Sequence, residues 1–176
     1  SYAGKQLGAD DERDLFPAMI ELVSVVRPRA IMIENVRGLL DPKFDAYRAS
    51  VEEHLAQVGY SLQWKLLNAS DFGVPQLRPR VIAVGFRHDT APSFEYPSPF
   101  QNAAPTVGET LADLMAERGW EGASAWAAQA NRIAPTLVGG SKKHGGPDLG
   151  PTRARRAWAE LGVNGSTIAP DAPDPG

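Results

Sequence analysis

Between residues 12 and 27, Leu15, Met19, Leu22, Val23 and Val26 recur at helical spacing and predict an amphipathic helix. Pro17 is tolerable there because it falls in the first turn, and Pro28 stops the helix. Arg29-Ala-Ile-Met-Ile-Glu34 is a short continuous apolar run, the pattern of a strand buried on both faces. Asp41-Pro42 reads as an N-cap followed by proline at the first helical position. Phe44, Tyr47, Val51, Leu55 and Val58 then form a second helical stripe, closed by Gly59. Leu62, Trp64 and Leu66 alternate with Ser61, Gln63 and Lys65, the period of a half-buried strand. Gly73-Val-Pro75 breaks the chain, and Arg80-Val-Ile-Ala-Val-Gly-Phe86 is another strand.

The order helix, strand, helix, strand, turn, strand predicts part of a layered α/β domain over residues 12–87. Pro92, Pro97, Pro99 and Pro105 mark 88–105 as a surface connection. Thr106-Val-Gly-Glu109 is a capping box opening a short helix through Leu111, Leu114 and Met115. Beyond Gly119 the pattern weakens. A last short helix is predicted from Thr152 as N-cap to Gly162 as C-cap, with Trp158 and Leu161 packing inward.

Composition narrows the chemistry. The chain has 176 residues, 43% of them hydrophobic, which suits a domain of ordinary size with a real core. Its net charge of -3 excludes nucleic-acid binding by bulk charge. No apolar run approaches the ~20 residues needed to cross a bilayer, and no signal-peptide pattern opens the chain. Zero cysteines exclude a disulfide framework, a zinc-thiolate site and a cysteine nucleophile within these residues; no metal site is expected. Ser1 in place of Met, and the linker-like run from Asp171 to Gly176, suggest an internal piece of a longer protein.

Charge is unevenly spread. From Asn131 to Trp158 stand Arg132, Lys142, Lys143, Arg153, Arg155 and Arg156, against Asp148 as the single acid. A Gly-rich basic loop suits contact with a DNA backbone, and it equally describes a solvated loop. Two further clusters carry candidate chemistry. Glu34-Asn35-Val36 ends the apolar strand, where open α/β sheets place their ligands, although a Glu at a strand end also simply reaches solvent. Gln76, Arg78 and Arg80 alternate on entering a strand, so strand periodicity would put them on one face. Two guanidiniums there suit an anionic or carbonyl-rich ligand, and an edge strand with a solvated face would look the same.

Taken in order, these segments resemble the C5-cytosine DNA methyltransferase family. Asp11-Glu-Arg13-Asp-Leu15-Phe16 looks like that family's fifth motif, and Pro28 through Ile33-Glu34-Asn35-Val36-Arg-Gly-Leu39 like the sixth. Leu55 through Gly59-Tyr60 is similar to the weak seventh. Asn68 through Gly-Val-Pro-Gln76-Leu-Arg78-Pro-Arg80 and on to Gly85-Phe-Arg87 looks like the eighth. The resemblance implies the C-terminal part of a Rossmann-like class I methyltransferase core over 1–87. An irregular, partial target-recognition region with its linker would follow over 88–176.

The activity so implied is methyl transfer from S-adenosylmethionine to C5 of a cytosine flipped out of duplex DNA, in a bacterial restriction-modification system. A thiolate adds to C6, C5 attacks the methyl group, and loss of the C5 proton restores the ring. By resemblance Glu34 binds the N3/N4 edge of the base and Arg80 its O2. Arg78 and Gln76 shape that wall and hold the catalytic loop, Asn35 anchors the turn that aims Glu34, and Leu15 makes an apolar cofactor contact. Lys142, Lys143, Arg153, Arg155 and Arg156 would meet the DNA. The implied location is the bacterial cytoplasm, at the nucleoid.

The family's Pro-Cys-Gln nucleophile loop, its Gly-rich cofactor loop and its late Gln-Gly-Phe-Pro and Gly-Asn motifs have no match in this sequence. Ser1-Tyr-Ala-Gly looks like the residues just after the nucleophile loop. These residues alone are therefore expected to transfer no methyl group. The alternative is a non-catalytic remnant, or a subunit of a split enzyme whose separate partner chain carries the Cys loop and which itself contributes DNA binding.

Overall fold

The computed structural model describes residues 14–90, 93–138 and 148–175. They fall into two compact units: one formed by residues up to Leu67 together with Pro79–Ser98, the other by Asn68–Arg78 together with the residues from Pro99 on.

In the first unit, helix α1 (Phe16–Val26) leads into strand β1 (Ala30–Val36), helix α2 (Asp45–Gln57), strand β2 (Tyr60–Asn68) and strand β3 (Pro79–Arg87). The sheet order is β1-β3-β2, with β1 antiparallel to β3 in the register Glu34↔Ile82 and Val36↔Arg80. Alternation along β3 buries Val81 and Ala83 completely. Val23 of α1, Val51 and Leu55 of α2 and Tyr60 of β2 form the core on one side of the sheet, with Phe16, Met19, Ile20, Ile31 and Trp64 packed around them. On the other side Phe94 packs against Phe86 and Tyr96, and the Tyr96 hydroxyl reaches the backbone carbonyls of Gln63 and Ile82.

Three expectations change here. The inward stripe of α1 is Phe16, Met19, Ile20 and Val23, while Leu15, Leu22 and Val26 are exposed. The helix is apolar on more than one face, and α2 covers only one of them. Strand β1 is not buried on both faces: it lies at the sheet edge, no residue of it is fully buried, and Met32 is 76% exposed. Asp41-Pro42 opens a short 3-10 turn (Pro42–Phe44), not α2 itself, and Asp41 makes no side-chain cap. Asp14 does cap α1. One carboxylate oxygen accepts from the Phe16 amide and the other from the Tyr47 hydroxyl, tying α1 to α2. Burial, first, and that carboxylate push the Tyr47 phenol well above its ordinary range. Gly59 closes α2 with φ +93°, a left-handed conformation that glycine adopts without strain.

The second unit holds helices α3 (Val107–Ala116), α4 (Ala123–Gln129) and α5 (Thr152–Ala159). Its core is Val107, Trp126, Ala130, Ala134, Trp158 and Leu161. Helix α4 was not legible in the sequence, because its apolar positions are mostly alanine. Gly108 lets α3 approach α4: a Cβ there would sit 2.0 Å from the Ala127 carbonyl oxygen. Pro151, not Thr152, occupies the N-cap position of α5.

The capping box is present as the sequence predicts. The Thr106 hydroxyl accepts from the Glu109 amide, and the Glu109 carboxylate accepts from the Thr106 amide. That amide holds the Glu109 carboxyl below its usual range. A carboxyl lowered in the folded state stabilises above the ordinary glutamate range, and its contribution is lost as pH falls through the lowered value. Thr106→Ala is expected to cost about 1 kcal/mol, read as a lower Tm, whereas Glu109→Gln, which removes the titrating carboxyl that the Thr106 amide holds low, is expected to flatten the acid limb of a Tm-against-pH curve. An unchanged Tm at neutral pH would show that the cap is not needed.

No helix among the described residues is long and apolar enough to cross a membrane.

Candidate functional site

Strand β1 delivers Glu34 near its C-terminal end, and the antiparallel register sets Arg80 diagonally across from it near the start of β3. Both side chains lie on the sheet face away from the helices, because the alternate positions Ile31 and Val81 are turned inward. The Arg80 Nε stands 2.5 Å from the Glu34 Oε1, with the Arg80 side chain 23% and the Glu34 side chain 55% exposed. A second guanidinium nitrogen of Arg80 donates to the Pro79 carbonyl at 2.9 Å. The arginine is thus held at two points, and it holds the carboxylate in turn. An exposed ion pair of this kind adds only about 0–1 kcal/mol to stability, so its significance lies in orientation. Asn35, on the opposite face of β1, accepts from the Val36 amide through its side-chain oxygen at 2.8 Å, which fixes the end of the strand.

The remaining candidates are placed differently. Gln76 and Arg78 do not share a strand face with Arg80, since β3 begins at Pro79 and residues 74–78 form an irregular run in the second unit. The Gln76 carboxamide oxygen accepts from the Leu137 amide at 3.2 Å. Arg78 is held through its backbone: its amide donates to the Asn68 side chain, and its carbonyl accepts from the Ala69 amide. Arg153 and Arg156 are exposed on α5. Arg155 instead lies 3.8 Å from the buried carboxylate of Asp148, whose other oxygen accepts from the Gly150 amide. Leu15 is 74% exposed, at the residue before α1. Lys142 and Lys143 lie outside the described residues.

Two further residues contribute contacts. Asp148 carries a signal of sorts, as the lone acid in a basic run. Thr136, whose hydroxyl donates to the Leu77 carbonyl at 2.5 Å, carries none, because its partner lies 59 residues away.

The profile of the C-5 cytosine-specific DNA methylase family matches residues 1–158 of this chain. The chain belongs to that family. It is 64% identical over all 176 residues to the Type II methyltransferase M.NaeI of Lentzea aerocolonigenes, covering 42% of that protein. It is 56% identical over 138 residues, 78% of this chain and 44% of the relative, to the Type II methyltransferase M.NgoMIV of Neisseria gonorrhoeae. A solved DNA modification methyltransferase encoded within a prophage of E. coli superimposes with a TM-score of 0.45 at 26% identity, over 52% of this chain and 27% of that one. The chain therefore spans less than half the length of the curated relatives it matches. It presents an α/β fold, a small three-stranded sheet packed by helices.

The family's methyl donor is S-adenosylmethionine. Of the residues assigned to it by resemblance, this chain offers Leu15 alone, and an exposed apolar side chain at a helix start fits an apolar contact with that molecule.

Proposed function

We propose that the full-length protein is a DNA (cytosine-5-)-methyltransferase of a bacterial restriction-modification system, acting on double-stranded DNA in the cytoplasm with S-adenosylmethionine as methyl donor. The observation that carries this reading is the Glu34–Arg80 pair on the sheet face away from the helices, in a chain of the methylase family. Along one edge of cytosine lie O2, N3 and the exocyclic amine. A guanidinium beside a carboxylate is complementary to that edge: the arginine donates to O2, and the carboxyl meets N3 and N4. Negative charge grows on the O2 side when a nucleophile adds to C6, and a fixed donor there stabilises it. Glu34 holds or supplies a proton at N3 in the same step. The methyl group comes from the bound cofactor, and Leu15 offers it an apolar wall. Residues contributing the nucleophile belong to the rest of the full-length protein.

The test is bisulfite sequencing of DNA from a host expressing the full-length protein. The expected result is 5-methylcytosine at every copy of one short duplex sequence. Unmodified DNA from cells making folded protein would overturn the reading.

In the same reading, the second unit meets the duplex, and Arg153 and Arg156 on the outer side of α5 each pair with a phosphate. Removing one such charge is expected to flatten the slope of log affinity against log salt by ~0.9. The Arg153→Gln/Arg156→Gln variant should thus lower the slope by roughly twice that value. The Arg155→Gln variant should act mainly through its ion pair with Asp148 and lower Tm. An unchanged salt slope in the double variant would make α5 a solvated face.

A further inference from the structure

The run Pro75–Leu77 and the segment around Ala134 are joined by a parallel bridge, Gln76↔Ala134, within the second unit. The Ala134 amide donates to the Pro75 carbonyl at 3.0 Å, and the Leu77 amide donates to the Ala134 carbonyl at 2.8 Å. In a regular parallel ladder the Leu77 carbonyl would next accept from the amide of residue 136. Pro135, with its φ fixed, stands before that residue. Side chains take over from that point: the Thr136 hydroxyl donates to the Leu77 carbonyl, and the Leu137 amide turns to the Gln76 carboxamide oxygen. On its far edge the same run is tied down by Asn68 and Ala69, through both backbone polar groups of Arg78. The run is therefore a fixed rail, and Gln76 and Thr136 are the two side chains that hold residues 136 and 137 to it.

We propose that Gln76 is a positioning residue for DNA recognition: its carboxamide oxygen sets the course of the segment leaving Ala134, and with it the affinity for duplex DNA. This rests on the reading that the second unit meets DNA. It departs from the expectation, drawn by resemblance, that Gln76 lines the wall of the base site. Only an acceptor oxygen is needed at position 76, so glutamate should serve where leucine does not.

The experiment uses the full-length enzyme with Gln76→Leu, Gln76→Glu and Thr136→Val. Hydrogen exchange of the Leu137 amide reports the hydrogen bond independently of activity. Loss of one exposed hydrogen bond such as this is typically worth about two- to tenfold in the linked equilibrium. Gln76→Leu is expected to speed Leu137 exchange by about that factor and to raise KM for DNA similarly, with kcat nearly unchanged. Gln76→Glu should restore both. Thr136→Val should show the same KM effect, and combining it with Gln76→Leu should add less than either alone, because both hold one segment. Unaltered Leu137 exchange in Gln76→Leu overturns the proposal, as does a fall in kcat at constant KM that glutamate does not rescue. Wild-type enzyme that methylates nothing would instead overturn the proposed function. Equilibrium binding of duplex DNA by the same variants would then decide the role of Gln76: equal affinity in Gln76→Leu and wild type refutes it.

Discussion

Glu34→Gln in the full-length enzyme is expected to lower single-turnover methylation by about 10²–10⁴, the usual worth of a positioned acid–base group, while the fold is retained. The strand leading to Glu34 is apolar from Ala30 to Ile33 and is held by its backbone ladder to β3, so its place in the sheet does not depend on the carboxylate. Glutamine is nearly isosteric, but it presents no carboxylic proton to N3. The ion pair with Arg80 is lost as well. At 55% exposure of the Glu34 side chain, that loss weighs little on stability. A thermal melt beside the kinetics separates the alternatives. Near-normal methylation would leave Glu34 a strand-end residue, and a large fall in Tm would make it structural.

Arg80→Ala should lower the rate by about 10²–10³, as removal of one donor to a developing oxyanion usually does, with duplex affinity nearly intact. The geometry adds a sharper expectation. Because Arg80 Nε and Glu34 Oε1 are 2.5 Å apart, the two side chains act as a unit. The double variant Glu34→Gln/Arg80→Ala should therefore cost less than the two single effects combined. Fully additive effects would mean that the residues contribute independently. Normal turnover with weakened DNA binding in Arg80→Ala would move Arg80 away from the base altogether.

How much of this site was legible in the sequence differs residue by residue. Glu34 was legible because an acid directly after an apolar run marks a strand end, and Arg80 because it stands at the head of another such run. Gln76 was legible as part of a motif, but its partner was not. Spacing alone suggested one face shared by Gln76, Arg78 and Arg80, and strand pairing stops at Pro79 before that face can form. The basic run hid a similar distinction: Arg153 and Arg156 remain exposed, while Arg155 is drawn to the buried Asp148.

The sequence by itself determined the features that depend on neighbours within about one helical turn: the stripe of Val51 and Leu55 on α2, the Thr106–Glu109 capping box, the close of α2 at Gly59, and Trp158 and Leu161 as inward anchors beside α5. Periodicity, caps and turns are local, so they can be read along the chain. Only the tertiary structure decided which apolar face of α1 is buried, that β1 lies at a sheet edge, that Glu34 meets Arg80 across the β1/β3 register, and that Gln76 holds an amide 61 residues away. Those outcomes depend on which segments pair when the chain closes on itself. Side-chain periodicity shows that a residue has a partner face, and only strand register and packing show which residue occupies it.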